Sequence, residues 1–237
     1  MLMPTKTINQ GGTYRTMLVA AGNTQGLPAL SEDCGLEMLQ GTGLGVSLEI
    51  RENASAEILA LIFPGADCSL DFNIELTGPG ASCNLYGLYL CPEAEKVSVR
   101  ADMHHKVHHC HSHQLFKGII SGTARSGFTG KIVVSPDAQV TEAYQENHNL
   151  LLSDTAVADT SPQLEIYADD VKCSHGATIG RLDEDEQFYM RSRGIPESEA
   201  RALQMLSFIS PVLDIVRNAE DRELLADYIG NIIRTRF

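Results

Sequence analysis

The sequence predicts a mainly β fold, a β-helix (solenoid) of stacked coils, and three observations favour it. Between Tyr14 and Gly180, apolar runs of strand length begin about 10 to 14 residues apart, separated by Gly, Pro, Asn, Asp and Ser. The Asn-Gly and Asp-Gly dipeptides of tight hairpins are missing between these runs, so consecutive strands need not be antiparallel neighbours. Small residues such as Gly78 and Gly80 recur at the bends, where they keep the corners of stacked coils thin. A β-sandwich fits the same spacing and stays open as the alternative.

Residues 1–180 are predicted to form this β-helix. Helix-period patterns are nearly absent from this part of the chain, and no strict sequence repeat is visible. Trp is absent and aromatic residues are few, which indicates a core of small and branched aliphatic side chains. In chain order, the strand candidates are YRTMLVAA, LEML, GVSLEI, AEILALIF, CSLDFNIEL, SCNLYGLYL, KVSVRADM, QLFKGIIS, KIVVS, LEIYA and ATIG.

Residues 181–237 are predicted to form a C-terminal α-helical subdomain. A short helix, LDEDEQFYMRSRG, is closed by Gly194, and a second begins at Pro196, where a first-turn proline is tolerated. Pro211 is expected to kink or break this second helix. A last helix starts with Asn218 as its N-cap, and we expect the two longer helices to pack as a hairpin.

Each of the two longer helices carries an apolar stripe at helical spacing. Either the stripes bury each other and the end of the sheet, or one of them docks a partner protein. The stripe residues are Leu206, Ile209, Leu213 and Val216 on the first and Leu225, Tyr228, Ile229 and Ile232 on the second.

Charge and cysteine usage exclude several classes of protein. A formal net charge of −13 argues against a nucleic-acid groove or an anionic membrane surface, since both need clustered Lys and Arg. No apolar run approaches the roughly 20 residues that span a bilayer, and the N-terminus lacks a secretory signal pattern. The six cysteines contain no CxxC pair, which fits a reduced compartment. We therefore expect a cytoplasmic protein.

The stretch LEIYADDVKCSHGATIG, residues 164–180, carries the densest set of metal-capable side chains next to regular structure. Cys173 and His175 lie two residues apart, so a strand would project both from one face. A thiolate and an imidazole suit zinc, copper or iron–sulfur chemistry, and equally an activated thiol. Val171 lies on the same face, so ordinary core packing is an alternative, and two ligands do not make a closed metal site.

The tract MHHKVHHCHSH holds six histidines and Cys110 between His104 and His113. Such tracts bind transition metals, often adventitiously, whereas a built site needs ligands that converge from more than one segment. A strand here would send His109, His111 and His113 to one face and Cys110 to the other. An adventitious or solvent-facing role is the preferred interpretation.

The polar stretch EAYQENHNLLLSDTA, residues 142–156, contains Ser, His and Asp but no nucleophile-elbow motif. Its Asn and His side chains are expected at a corner of the fold, bonded to the backbone. The chain also has no GxxxxGK[ST] loop, so it has no nucleotide-hydrolysing site of its own. The sequence thus points away from an enzyme.

Four motifs, in this order along the chain, resemble the C-terminal half of the SufB/SufD scaffold proteins of the SUF iron–sulfur cluster assembly system. They are HxxxxCxSxQLxKGI at residues 105–119, NHNLLLS at 147–153, PQLEIYADDVKCSHGATIG at 162–180 and FYMRSRGI at 188–195. The KCSHGAT segment is similar to the SufD branch, because SufB members have CEHEAT where this chain has Ser174 and Gly176.

The resemblance implies a right-handed parallel β-helix followed by a C-terminal helical subdomain. It also implies a complex in which SufB-like and SufD-like proteins pair through their β-helices, while the C-terminal helices of each receive a SufC ATPase. No tightly bound cofactor is expected, although iron or an iron–sulfur cluster is expected to be held transiently.

The resemblance also implies candidate site residues. His175 matches a SufD histidine near the nascent cluster that faces SufB, and Cys173 is its neighbour on the same stretch. His105 and Cys110 match other positions of the family, and most of the remaining histidine tract does not. The residues expected to bind a partner are Arg191, Arg193, Leu206 and Ile209.

Two alternatives stay open at this point. One is a metal enzyme that uses the histidine tract together with His175. The other is a structural homodimer that has kept the scaffold and lost the cluster chemistry, because SufD proteins are longer and carry an N-terminal helical region that this sequence lacks or has only in drastically reduced form.

Overall fold

The computed structural model describes residues 5–21, 27–39 and 43–237. Over these ranges the chain forms two parallel β-sheets wound into a β-helix of about five turns, followed by three α-helices. The predicted fold class is thereby confirmed. No helix within these ranges is long and apolar enough to cross a membrane.

The strands and helices have the following bounds. The strands are β1 (Lys6–Ile8), β2 (Thr13–Ala21), β3 (Leu36–Leu39), β4 (Gly43–Ile50), β5 (Ser55–Phe63), β6 (Cys68–Leu76), β7 (Ser82–Cys91), β8 (Lys96–His105), β9 (His111–Ile120), β10 (Arg125–Val134), β11 (Thr141–Leu151), β12 (Val157–Ile166) and β13 (Val171–Gly180). The helices are α1 (Glu184–Ser192), α2 (Glu197–Leu213) and α3 (Ala219–Arg236), and a 3-10 turn covers Glu32–Cys34.

Successive strands from β4 onward alternate between the two sheets. The six-stranded sheet has the order β1-β4-β6-β8-β10-β12, and the seven-stranded sheet has the order β13-β11-β9-β7-β5-β2-β3. Every pairing between these strands is parallel. Because each strand pairs with the equivalent strand of the next coil, no tight hairpin is needed, which explains the missing Asn-Gly and Asp-Gly turns.

The core of the β-helix lies between the two sheets and is built from alternate residues of each strand. In β6 the inward Leu70, Phe72 and Ile74 are buried, while the residues between them face outward. The rings of Phe116 and Phe128 meet across the interior with their centroids 5.0 Å apart. The period of two follows from strand geometry, which sends successive side chains to opposite faces of the sheet.

Strand β11 corrects one prediction, because its polar residues are not at a corner. Asn147 and Asn149 point inward and are buried, and Tyr89 lies between them in the interior. The Tyr89 hydroxyl donates to Asn149 Oδ1 over 2.5 Å, and Asn147 Nδ2 donates to the Tyr89 hydroxyl over 3.0 Å. These groups satisfy each other, so a polar strand can occupy the interior of the coil.

The three predicted helices are confirmed, and the two longer ones pack on the outer face of the seven-stranded sheet, sharing one hydrophobic cluster with it. Asn218 is the N-cap of α3 and accepts from the backbone N–H of Glu220 over 2.9 Å. Pro211 lies inside α2, which continues to Leu213. Because Pro211 lacks an N–H, the carbonyl of Ser207 is left to accept from the Ser210 hydroxyl at 3.0 Å instead. The division at residue 180 into two domains stays a prediction.

Gly78 is a position where the stacking of coils leaves no room for a side chain. A Cβ atom there would lie 2.0 Å from the backbone nitrogen of Glu52 in the preceding coil. We expect Gly78→Ala to lower the free energy of unfolding by about 1–3 kcal/mol, because backbone cannot move aside as a side-chain tip can. Thermal unfolding followed by circular dichroism measures this, with Gly127→Ala as the control.

Gly127 is the matched position on the outer face of β10, where a Cβ atom meets nothing within 4 Å. The control is therefore expected to keep the melting temperature of the unaltered chain or to raise it slightly. Equal melting temperatures for the two variants would contradict the close approach of coils at Gly78.

Candidate functional site

The last coil of the β-helix, formed by β12 and β13, is the candidate site. Among the described residues, β12 pairs only with β10 and β13 pairs only with β11, so each strand leaves one edge unpaired. Residues that would be covered in an inner coil are exposed here, as at Ile166 and at Ile179, which is 48% exposed. This end of the stack therefore presents apolar side chains and free backbone groups together.

Cys173 and His175 both lie on the inward side of β13. Their ladder partners in β11 are Ala143 and Gln145, which point into the interior and are fully buried. The prediction that the two residues share one face is thus confirmed. Cys173 is half-buried against the interior cluster, whereas His175 is exposed at the open end. Core packing consequently accounts for Cys173 but not for His175.

The surroundings of the Cys173 thiol in this chain disfavour its thiolate form. Burial raises its pKa, and the hydrogen bond with the backbone of Ala143 offsets only part of that effect. Reactive cysteines have the opposite property, a lowered pKa caused by nearby positive charge. The raised pKa therefore favours the neutral thiol of Cys173 in this chain.

His105 and Cys110 lie inside the coil formed by β8 and β9, two coils before the terminal one. The His105 ring nitrogen Nε2 is 2.8 Å from the Ser112 hydroxyl, and its Nδ1 has no hydrogen-bond partner among the described residues. The Cys110 thiol contacts the backbone carbonyl of Gly78 at 3.5 Å, and burial raises its pKa to about 11. The structure does not bring these two residues to Cys173 and His175.

The histidine tract diverges around the β8–β9 corner. His104 points to the outer face of the six-stranded sheet, His105 points inward, and His108 and His109 occupy the turn. His109 has a φ of 60°, so it is not part of a strand, whereas His111 and His113 do share the outer face of β9, opposite to Cys110. No three His, Cys, Asp or Glu side chains within the described ranges surround a common metal position.

The residues expected to bind a partner are split between surface and core. Arg191 is exposed and lies 3.6 Å from Glu197, and Arg193 lies over the ring of Tyr189. Leu206 is half-buried in the cluster under the helices. Ile209 is 0% exposed and packs in the hydrophobic cluster that the helices share with the sheet, so its side chain is covered within this chain, and a role of Ile209 in partner binding stays a prediction. The helical stripe that contains Ile209 faces the protein's own sheet.

Two exposed aromatic residues on α1 were missed by the sequence reasoning. Phe188 is 72% exposed and Tyr189 is 61% exposed, beside Arg191 and Arg193. The sequence does contain a signal for them. Phe188 and Tyr189 lie between an acidic run and two arginines, and the nine-residue helix α1 has no buried apolar stripe with which they could pack.

Comparison with known proteins decides the family. The model of the SUF system FeS cluster assembly SufBD core domain matches residues 45–208, which is more than half of the chain. The chain belongs to the SufB/SufD family. The match runs from β4 into α2 and thus includes Cys173, His175 and the whole of α1.

Individual relatives identify the chain as SufD-like. The iron–sulfur cluster assembly protein SufD of Escherichia coli is 36% identical over 183 residues, which cover 77% of this chain and 43% of that protein. An iron–sulfur cluster assembly SufBD family protein of Synechocystis is 48% identical over 106 residues, 45% of this chain and 23% of that protein. SufD of Bacillus subtilis is 38% identical over 97 residues, 41% of this chain and 22% of that protein. The chain thus spans less than half the length of these relatives.

We expect the buried His105 to make the SufD-like fold sensitive to acid. Burial lowers the pKa of His105 to about 4, below the ordinary value of 6.5 that applies in the unfolded chain. Protonation therefore favours unfolding: the stabilisation is complete above about pH 6.5 and is lost as the pH falls toward about 4. A difference of this size corresponds to on the order of 3 kcal/mol.

Urea unfolding at about pH 7 and about pH 4.5 tests this prediction. We expect His105→Gln to lose less stability between the two pH values than the unaltered chain, by on the order of 2–3 kcal/mol. His104→Gln removes an outward-facing imidazole from the same strand and serves as the control. An unchanged pH dependence in His105→Gln would refute the burial of a neutral imidazole.

Proposed function

We propose that this chain is a non-enzymatic scaffold subunit of a SUF-type iron–sulfur cluster assembly complex. In this proposal it pairs with a SufB-like protein through its terminal coil and docks a SufC ATPase through its C-terminal helices. The observation that carries the proposal is the open last coil, which presents Cys173 and His175 beside two unpaired strand edges. A cytoplasmic location stays a prediction.

The unpaired edges support pairing with a second β-helix. Along β12 and β13 the outward N–H and C=O groups have no ladder partner among the described residues, and an added strand would satisfy them. The exposed apolar side chains of Ile166 and Ile179 would be buried in the same step. Backbone hydrogen bonding and burial of apolar side chains therefore both favour a partner at the edges of β12 and β13.

The iron–sulfur cluster is cargo in this proposal and not a resident cofactor. Cys173 and His175 offer one thiolate and one imidazole, and iron–sulfur centres use both ligand types. Two ligands leave an iron ion incompletely coordinated. The partner therefore has to supply the other ligands at the seam, which is the interface between the terminal coil β12–β13 and the partner. Loading of iron would release the proton that the Cys173 thiol holds.

The helices offer a route by which an ATPase can act on the seam. Phe188 and Tyr189 are exposed on α1, whereas α2 packs on the seven-stranded sheet. Lys117 of β9 donates to the backbone carbonyl of Phe208 in α2 over 2.7 Å. A movement of the helices would thus reach β9, which is separated from β13 only by β11.

The first test of this function concerns His175. We expect His175→Ala to reduce iron–sulfur cluster maturation in cells that depend on this chain, because an imidazole ligand is lost at the seam. Ser174→Ala is the matched control, since Ser174 lies on the same strand but on its outer face. Maturation is measured as the activity of a cluster-dependent enzyme, and co-purification with the SufB-like protein is measured in parallel.

The outcomes of this test separate the scaffold from its alternatives. Reduced maturation with normal co-purification supports the assigned role of His175. Normal maturation in His175→Ala, together with a homodimer of the isolated chain in sedimentation, would favour the structural homodimer. The proposal would be refuted if the chain failed to bind a SufB-like protein, or if it failed to bind an ATPase. A metal enzyme built on the histidine tract has no support, because the tract diverges to several faces.

A second test addresses the docking of the ATPase. We expect Phe188→Ala to weaken co-purification with the ATPase by about tenfold or more, because an exposed aromatic residue beside arginines is typical of a binding hot spot. Leu224→Ala is the control, since Leu224 is an exposed apolar residue on α3. Equal retention of the ATPase by both variants would move the docking surface away from α1.

A further inference from the structure

A column of inward side chains runs across the seven-stranded sheet and ends at His175. In register along it are Leu85 of β7, Gln114 of β9, Gln145 of β11 and His175 of β13. Neighbouring strands lie about 4.8 Å apart, so equivalent side chains on one face stack on one another. Gln114 and Gln145 are 0% exposed, whereas His175 is exposed at the open end. His175 therefore occupies the last position of a column whose two preceding positions are buried amides.

The two amides bond to each other and leave one atom without a partner at each end. Gln145 Nε2 donates to Gln114 Oε1 over 3.0 Å. Gln114 Nε2 and Gln145 Oε1 have no hydrogen-bond partner among the described residues. Beyond Gln114 the next side chain of the column is Leu85, which has no polar atom, and beyond Gln145 it is His175. Only at the His175 end can the column itself supply the missing partner.

The opposite sheet determines how the Gln145 amide is oriented. A Cβ atom on residue 130 would lie 2.4, 2.5 and 2.5 Å from Nε2, Cδ and Oε1 of Gln145, so the amide fits only because Gly130 has none. Since these three distances are nearly equal, Gly130 faces the plane of the amide, and its nitrogen and oxygen point sideways along the column. The nitrogen points to Gln114 of β9, so the oxygen points to the other side, where β13 lies.

The unpartnered oxygen of Gln145 calls for a donor. Buried carbonyl oxygens without a hydrogen bond are rare in folded proteins, because burial removes water that nothing then replaces. A neutral imidazole carries one N–H that can donate and one nitrogen with a lone pair. The ring of His175 is thus chemically suited to this oxygen and still keeps one nitrogen for a second contact.

We propose that Gln145 is a positioning residue for His175, an inference that rests on the proposed function. The ring of His175 turns inward and donates its N–H to Gln145 Oε1. The proton is thereby fixed on that nitrogen, and the other ring nitrogen presents its lone pair to the seam. Metal-binding histidines are held in this way by an oxygen acceptor, which fixes the tautomer and the orientation of the ring. Gln145 acts through the ring and does not contact the iron itself.

Nitrogen NMR of the isotopically labelled full chain tests the proposal, because the couplings within an imidazole report which nitrogen carries the proton. Spectra are recorded at a pH at which the imidazoles are neutral, and His175→Ala identifies the signals of His175. We expect one tautomer to predominate in the unaltered chain and a mixture of both in Gln145→Leu, since leucine fills the interior but accepts no hydrogen bond. An unchanged tautomer ratio in Gln145→Leu overturns the proposal.

Gly130→Ala disturbs the same amide from the opposite sheet, without changing Gln145 or His175. Its methyl group would overlap the amide, which is the movable tip of a side chain, so we expect it to displace the oxygen and to mix the tautomers as well. Asn147→Ala is the matched control, because Asn147 is a buried amide on the same face of β11 whose ladder partner in β13 is Ala177. It should keep the tautomer of the unaltered chain. Equal mixing in all three variants would indicate a general loosening of the interior and overturn the assignment to Gln145.

Cluster maturation in cells is the functional readout, and it separates this inference from the function on which it rests. We expect Gln145→Leu to lower maturation by about tenfold, as loss of a ring-orienting partner does, and Asn147→Ala to leave it unchanged. Normal maturation in His175→Ala would refute the proposed function, whatever the tautomer. Reduced maturation in His175→Ala with an unchanged tautomer in Gln145→Leu would keep that function and refute the positioning role of Gln145.

Discussion

In-register parallel stacking is the constraint on which the rest of this structure depends. Each inner strand bonds to the equivalent strand of the coil before and of the coil after, so every coil has to place inward residues above inward residues. Long apolar columns result, and they hold the interior together without a large aromatic core. Where the stack ends, at β12 and β13, the same constraint leaves backbone groups and inward side chains without a neighbour. The candidate site is therefore a consequence of how the fold terminates.

Polar side chains also occupy the interior of the coils, and many of them bond to the neighbouring coil. Gln145 and Asn147 are fully buried, and each donates to a group of the preceding coil, Gln114 Oε1 and the backbone carbonyl of Phe116. Other buried polar atoms have no hydrogen-bond partner among the described residues, such as Gln145 Oε1 and His105 Nδ1, and His105 remains neutral because burial opposes its charge. We therefore expect the stability of the fold to depend on pH through this buried imidazole.

Much of the fold was predictable because the signals that specify it are local. Each of these signals can be recognised within a short stretch of sequence. They are the spacing of apolar runs, the missing hairpin dipeptides, Gly194 at the end of α1 and Asn218 at the start of α3. The prediction for strand β11 is wrong because its inward positions are amides, whose partners lie one or two coils away in sequence, as Phe116 and Tyr89 do for Asn147. Ile209 illustrates a related point: an apolar stripe shows that a face is covered, but it does not show which surface covers it.

The same distinction between local and non-local signals applies to the functional residues. Cys173 and His175 were predicted to share a face because a period of two needs no knowledge of neighbouring strands. The contacts of Glu146 with His113 and His148 on the outer face could not be predicted, since His113 and Glu146 meet only through the register of β9 with β11. The sequence groups His113 with the rest of its tract, although only it and His111 face the outer surface of β9. Register between coils is the information that a single sequence does not display.

Strand β13 carries Cys173 and His175 on its inner face and is anchored by side-chain bonds on its outer face. It pairs only with β11 among the described strands, so its register depends on one ladder and on the outer side-chain bonds across it. Lys172 donates to Glu142 over 2.8 Å, and Thr178 lies 2.8 Å from His148, near opposite ends of the strand. A slip by one residue would turn Cys173 and His175 outward and move Ser174 into the interior. Bonds on the outer face of β13 therefore preserve the orientation of the side chains on its inner face.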